Sequence, residues 1–176
     1  MSAADELEVL MDGRGREKYG ESVTIAEHSL LTAAAAEQQG LHDTLVAACL
    51  MHDVGHWLDE PDDGYGIHDH GDLGGDWVAA RFDPAVAEPV RLHIEAKRFL
   101  CAREPDYHDH LSPASQYTLT KQGGPMSPDE AEAFESRPHA DDAVTLRRLE
   151  DDHGKLAGAE VPTLAHFRPL LDRLET

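Results

Sequence analysis

The stretch Leu45-Val-Ala-Ala-Cys-Leu-Met-His-Asp-Val-Gly-His-Trp57 places an imidazole-carboxylate pair, His52-Asp53, at the end of an unbroken apolar run, with a further imidazole at His56. A carboxylate buried beside an imidazole is costly unless a cation offsets it, so the pair reads as metal-binding. The apolar run predicts a helix. On that helix His52 and His56, four residues apart, share a face, and Asp53 reaches the same centre from an adjacent angle, placed to bridge two metals.

Working outward, further imidazoles and carboxylates stand on segments with helical patterning: His28, the triplet His68-Asp69-His70, His93 and the acidic pair Asp141-Asp142. Neutral nitrogen and anionic oxygen donors together suit iron, manganese or zinc better than calcium or copper(I). His93 and Lys97 are also four residues apart, which sets an ammonium beside a candidate ligand as a clamp for an anion such as phosphate or phosphonate. Taken alone, Lys97 reads more readily as a surface lysine whose stem lies along apolar surface. His42, His108, His110, His139, His153 and His166 read as surface or hydrogen-bonded residues.

Apolar residues recur at helical spacing in Leu7-Leu10-Met11, Ile25-Leu30-Leu31, Val86-Val90-Ile94 and Val144-Leu146-Leu149, and sustained alternation is absent, so the fold class is all-α. Thr24-Ile-Ala-Glu27 is a capping box that starts the helix carrying His28, with Gly40 as its stop; Ser127-Pro-Asp-Glu130 is a second. The runs Pro61-Asp-Asp-Gly-Tyr-Gly and Gln122-Gly-Gly-Pro125 are loop signals, placed to form the mouth of a pocket.

A length of 176 residues supports one domain, 1–176. The net charge of -20, from 35 acidic and 15 basic residues, argues against nucleic acid or an anionic membrane as partner. No apolar run approaches the roughly 20 residues of a membrane helix, and the first residues lack the pattern of a signal peptide, so a cytoplasmic protein is expected. Cys49 and Cys101 lack metal-site spacing and read as core residues.

At these residues the chain resembles the HD superfamily of metal-dependent proteins, in which a histidine, a His-Asp pair, one or two further histidines and a late aspartate lie on the helices of a single-domain bundle. His93-Ile-Glu-Ala-Lys-Arg-Phe-Leu-Cys-Ala, Tyr107, Leu111-Ser-Pro-Ala-Ser115 and Leu119-Thr-Lys-Gln-Gly-Gly-Pro-Met126 are similar to a narrower group, the mixed-valent di-iron oxygenases that cleave the carbon-phosphorus bond of 1-hydroxyphosphonates. The likeness runs from about Tyr19 to Lys155. It implies two iron ions, Fe(II) and Fe(III), with O2 as co-substrate: His28, His52, Asp53 and Asp142 at one iron, and Asp53, His70 and His93 at the other. His70 is preferred to His68, and Asp142 to Asp141, by the residues that follow each.

The resemblance further implies that His56, Lys97 and Ser115 hold phosphonate oxygens, with Gln122 in the neighbouring loop. Tyr19-Gly-Glu21 resembles a gate segment, one residue shorter here, whose glutamate holds an iron position until substrate displaces it. The expected substrate is a small organophosphonate, 2-amino-1-hydroxyethylphosphonate or an N-methylated analogue, giving glycine or glycine betaine and inorganic phosphate. Glu27, Asp59, Tyr65 and Tyr117 are candidates for holding its amine. A phosphohydrolase acting on a nucleotide or other phosphate ester is the rival reading, since the same ligands can activate water for attack on phosphorus. A binding domain that keeps its metal only for structure is a third.

Overall fold

The computed structural model describes residues 1–176 and contains helices without a single strand. Ten α-helices follow in order: α1 (Ala3–Asp12), α2 (Ile25–Gln38), α3 (Asp43–Met51), α4 (His70–Ala79), α5 (Pro84–Arg103), α6 (Tyr107–His110), α7 (Pro113–Lys121), α8 (Pro128–Glu135), α9 (Ala140–Asp152) and α10 (Leu164–Leu174). The expected all-α bundle is observed.

Local sequence sets the ends of the helices that matter. Thr24 caps α2: its hydroxyl accepts from the Glu27 N–H at 3.1 Å while the Glu27 carboxylate accepts from the Thr24 N–H at 2.7 Å. The chain leaves α2 through Gly40, whose φ of +69° glycine adopts without strain. Ser127 caps α8 in the same reciprocal way, with Pro128 as its first residue.

Helix α3 is buried almost all round, Leu45 through Met51 without interruption, so it runs through the middle of the molecule. Around it a core of 27 residues extends from Ala3 to Leu171, so both ends of the chain pack into one hydrophobic interior. A smaller cluster joins Leu92 and Ala96 of α5 to Met126, Ala131, Phe134, Ala140 and Ala143, which fixes α8 and α9 against α5.

One expectation is corrected here. The helix through His52 does not continue to His56: α3 stops at Met51, Asp53 turns with φ -98° and ψ 7°, and a separate 3-10 turn spans Val54–Trp57. The cause is the close passage of α4. A side chain at Gly55 would overlap the carbonyl of His70, so the Val54–Trp57 backbone lies directly against the start of α4. His56 therefore enters the interior from a different angle than helical spacing would give, although it remains buried.

Candidate metal centre

Five elements bring their polar residues to one point. His28 comes from α2, His52 and Asp53 from the end of α3, His70 from the first position of α4, His93 from the middle of α5, and Glu150 from α9. All six are buried in a chain whose other acidic residues lie mostly outside. The ligand atoms form two groups that share Asp53: His28, His52, Asp53 and Glu150, and Asp53, His70 and His93, each with its atoms within 4.8 Å of one another.

The protons on the rings are fixed by the backbone. His28 Nδ1 donates to the Gly154 carbonyl at 2.8 Å and His52 Nδ1 to that of Cys49 at 2.8 Å. His70 Nδ1 donates to Ile67 at 2.8 Å and His93 Nδ1 to Val90 at 2.6 Å. Each of these rings, when neutral, therefore turns a bare Nε2 lone pair inward. Yet His28 and His52 bring Nε2 to Nε2 at 3.1 Å, and His70 and His93 do so at 3.0 Å. Two lone pairs at that distance repel.

The carboxylates stand between the paired rings. Asp53 Oδ2 lies 3.4 Å from His52 Nε2 and 3.6 Å from His28 Nε2, while Oδ1 lies 3.2 Å from His70 Nε2 and 3.6 Å from His93 Nε2. Each oxygen thus serves one pair of imidazoles. Glu150 Oε2 adds to the first pair, 3.0 Å from His28 and 3.3 Å from His52. Burying such a set of acceptors costs several kcal/mol per uncompensated charge, and a cation in each half removes that cost. The donor set fits two metal ions of the iron, manganese or zinc type.

Titration behaviour agrees with an acceptor cluster that seeks positive charge. Burial opposes a charged His52, but Asp53 and Glu150 more than offset it and raise the imidazole to about 10. Burial alone would lift Asp53, yet the surrounding imidazoles hold its carboxyl well below the usual range. Glu150 is likewise pulled down against its burial, by Arg147 first and then by His52 and His28. His93, taken out of water, falls to about 4.

His56 differs from the four inward-facing rings. Its Nδ1 accepts from the Ile67 N–H at 3.0 Å, so its remaining proton sits on Nε2. Burial, reinforced by His70, keeps the ring neutral. It stacks on His70 with ring centroids 3.8 Å apart. One residue, Ile67, donates its N–H to the His56 ring and accepts through its carbonyl from the His70 ring, giving two stacked imidazoles opposite polarity.

Beside the cluster a cavity is lined by His56, Lys97, Ser115, Thr118, Arg147 and Lys155, among others. Lys97 is only 2% exposed, and its ammonium donates to Thr118 Oγ1 at 3.0 Å and the Ser115 carbonyl at 3.3 Å. Burial, and then the charge of Arg147, lower its pKa to about 7. Lys155 donates to Ser115 Oγ at 2.8 Å and Ser112 Oγ at 3.2 Å. Arg147 is buried between Glu150, at 2.9 Å, and Asp151, at 2.7 Å, with the Tyr107 hydroxyl beside it.

Thus the structure gathers His28, His52, Asp53, His70 and His93 at one centre, with His56, Lys97 and Ser115 on the adjoining wall. His68 turns away, its Nε2 3.1 Å from Asp63, and Gln122 donates to the His68 carbonyl. Asp142 requires correction: it lies at the start of α9, part-exposed, 3.2 Å from His42, and does not reach the cluster. Glu150, two turns along the same helix, is there instead. The helical stripe Ala143, Leu146, Arg147, Glu150 faces inward as a unit, and Asp142 falls outside it.

The gate segment is also placed differently from expectation. Glu21 lines the cavity but is not among the clustered ligand atoms; it accepts from Ser112 Oγ at 2.5 Å and sits 3.4 Å from Lys155. Tyr19, with φ +46°, packs its ring 5.2 Å from that of His56. Sequence reasoning missed Glu150, Arg147, Lys155 and Gly154. The last has a usable signal, a glycine beside a lysine after an acidic helix: a Cβ there would fall 2.5 Å from His28 Nδ1, so only glycine lets the carbonyl reach that ring.

This helical bundle and its histidine-aspartate centre define a class. The model for the HD domain matches residues 25–175, and the chain belongs to the HD domain family. It is 38% identical over 174 residues to a [1-hydroxy-2-(trimethylamino)ethyl]phosphonate dioxygenase (glycine-betaine-forming) of Leisingera caerulea, covering 94% of this chain and 86% of that one. It is 40% identical over 163 residues to a hydroxymethylphosphonate dioxygenase of Gimesia maris, covering 90% and 81%. An uncharacterised protein of Acanthamoeba polyphaga mimivirus is 33% identical over 163 residues, covering 89% and 74%.

Two outcomes are expected of the site. Metal analysis of purified variants will find the metal of the His28–His52 half lost in Glu150→Ala and the full content kept in Asp142→Asn; the reverse pattern would restore Asp142 as the ligand. Sulfate, which stays dianionic, will bind more weakly as pH rises through about 7 and Lys97 loses its proton. The loss approaches about tenfold per unit in calorimetry, and Lys97→Met removes that dependence.

Proposed function

We propose that this protein is a di-iron oxygenase that uses O2 to cleave the carbon-phosphorus bond of a 1-hydroxyphosphonate, releasing a carboxylate and inorganic phosphate. The observation that carries the reading is the pairing of a buried acceptor cluster with a cationic anion cradle on one cavity, supported by the two relatives named as phosphonate dioxygenases. Four imidazole nitrogens and two carboxylates suit iron, and reaction with O2 requires a metal that changes oxidation state, which zinc does not do. His28, His52, Asp53 and Glu150 would hold one iron, and Asp53, His70 and His93 the other. When bound, the pair supplies the electrons for O2 activation.

The chain's own residues do the positioning. His56 offers an Nε2–H toward the cavity, a donor directed at a phosphonate oxygen. Lys97, Lys155 and the Ser115 hydroxyl surround the same space, so a dianion there trades water for fixed cationic donors, and the low exposure of Lys97 strengthens that attraction. Arg147 neutralises Glu150 from behind while its other arm reaches within 3.4 Å of Ser115 Oγ, tying the metal half to the anion half. Glu21 and Tyr19 also line the cavity, where they would limit access of water to the cluster.

The test is release of inorganic phosphate from hydroxymethylphosphonate and 2-amino-1-hydroxyethylphosphonate by iron-loaded protein, with and without O2. Release that depends on O2 from at least one of them is expected. Phosphate released equally without O2 would contradict the oxygenase and turn the assignment to hydrolysis.

A further inference from the structure

Two named relatives of nearly equal likeness act on substrates that differ in charge, one with a quaternary ammonium and one without, so likeness does not choose between them. The cavity wall does. We infer, resting on the phosphonate reading above, that this pocket takes a 1-hydroxyphosphonate whose C1 substituent carries no positive charge.

An ammonium on that substituent would need a carboxylate or an open aromatic face. The carboxylates lining the cavity are Glu21, Asp53 and Glu150. Asp53 and Glu150 belong to the acceptor cluster, and Glu21 is engaged by Ser112 at 2.5 Å and Lys155 at 3.4 Å. The remaining charged groups on the lining are cationic: Lys18, Lys97, Arg147 and Lys155.

The aromatic surface is partly committed as well, Tyr65 keeping 36% of its surface exposed. Tyr65 lies against Tyr117, with centroids 4.3 Å apart, and its ring edge abuts Gly20 so tightly that a Cβ there would fall 2.7 Å from it. Tyr19 packs toward His56. Of the residues that sequence reasoning offered to an amine, only Tyr65 lines the cavity. The Glu27 carboxylate is spent on the cap of α2, and the Tyr117 hydroxyl donates to Asp63 at 2.8 Å.

The experiment compares three phosphonates that lack the 1-hydroxyl, titrated into iron-loaded protein under argon. These are methylphosphonate, 2-(trimethylammonio)ethylphosphonate and its uncharged isostere 3,3-dimethylbutylphosphonate. Methylphosphonate is expected to bind, and the ammonium compound to bind at least about tenfold more weakly than its isostere, or not at all. Lys18→Glu, at an exposed position on the cavity mouth, is expected to strengthen the ammonium compound alone. Ammonium binding equal to or tighter than the isostere would overturn the inference and leave the oxygenase reading standing. Failure of methylphosphonate to bind would remove the phosphonate reading itself, and the inference with it.

Discussion

Lone pairs that face one another in a dry interior repel, and the centre of this protein is built from such an arrangement. Four ring nitrogens are turned inward by backbone carbonyls that hold the opposite nitrogen, and two carboxylates are set among them. The residues come from α2, α3, α4, α5 and α9, so the cost of their mutual repulsion falls on the packing of half the helices in the fold. Cations at the centre turn that cost into cross-links. The bundle and the site are therefore one mechanical problem, with Asp53 as the group common to both halves.

The second requirement is that polarity change sign within a few ångströms, from acceptors at the cluster to donors at the anion cradle. The backbone N–H and carbonyl of Ile67 do part of this, fixing His70 as an acceptor and the stacked His56 as a donor. Arg147 and Glu150 do the rest on α9, one turn holding a carboxylate for the cluster and a guanidinium behind it. Glycines permit the close approaches: Gly55 against the start of α4, and Gly154 against His28.

Much of this is legible in the sequence because burial restricts residue choice. His52-Asp53 stands out at the end of an apolar run, and capping boxes at Thr24 and Ser127 mark helix starts that the structure reproduces. Glu150 was hidden for a physical reason. It sits in a segment rich in acids, Glu150-Asp-Asp152, where only the helical phase relative to Ala143 and Leu146 distinguishes a buried carboxylate from solvated ones. The break between Asp53 and Val54 was hidden too, since it is imposed by the passage of α4 rather than by any local preference. Likewise the Tyr65–Tyr117 pairing depends on a loop and α7 being brought together only by the fold.

The central claim is that a shared Asp53 ties two metal positions together, and metal stoichiometry tests it directly. Reconstituted wild-type protein should hold two metal ions per chain, and Asp53→Ala, with its helix content intact by circular dichroism, should lose both. A folded Asp53→Ala protein that keeps two ions, or a wild-type protein that saturates with one, would contradict the account.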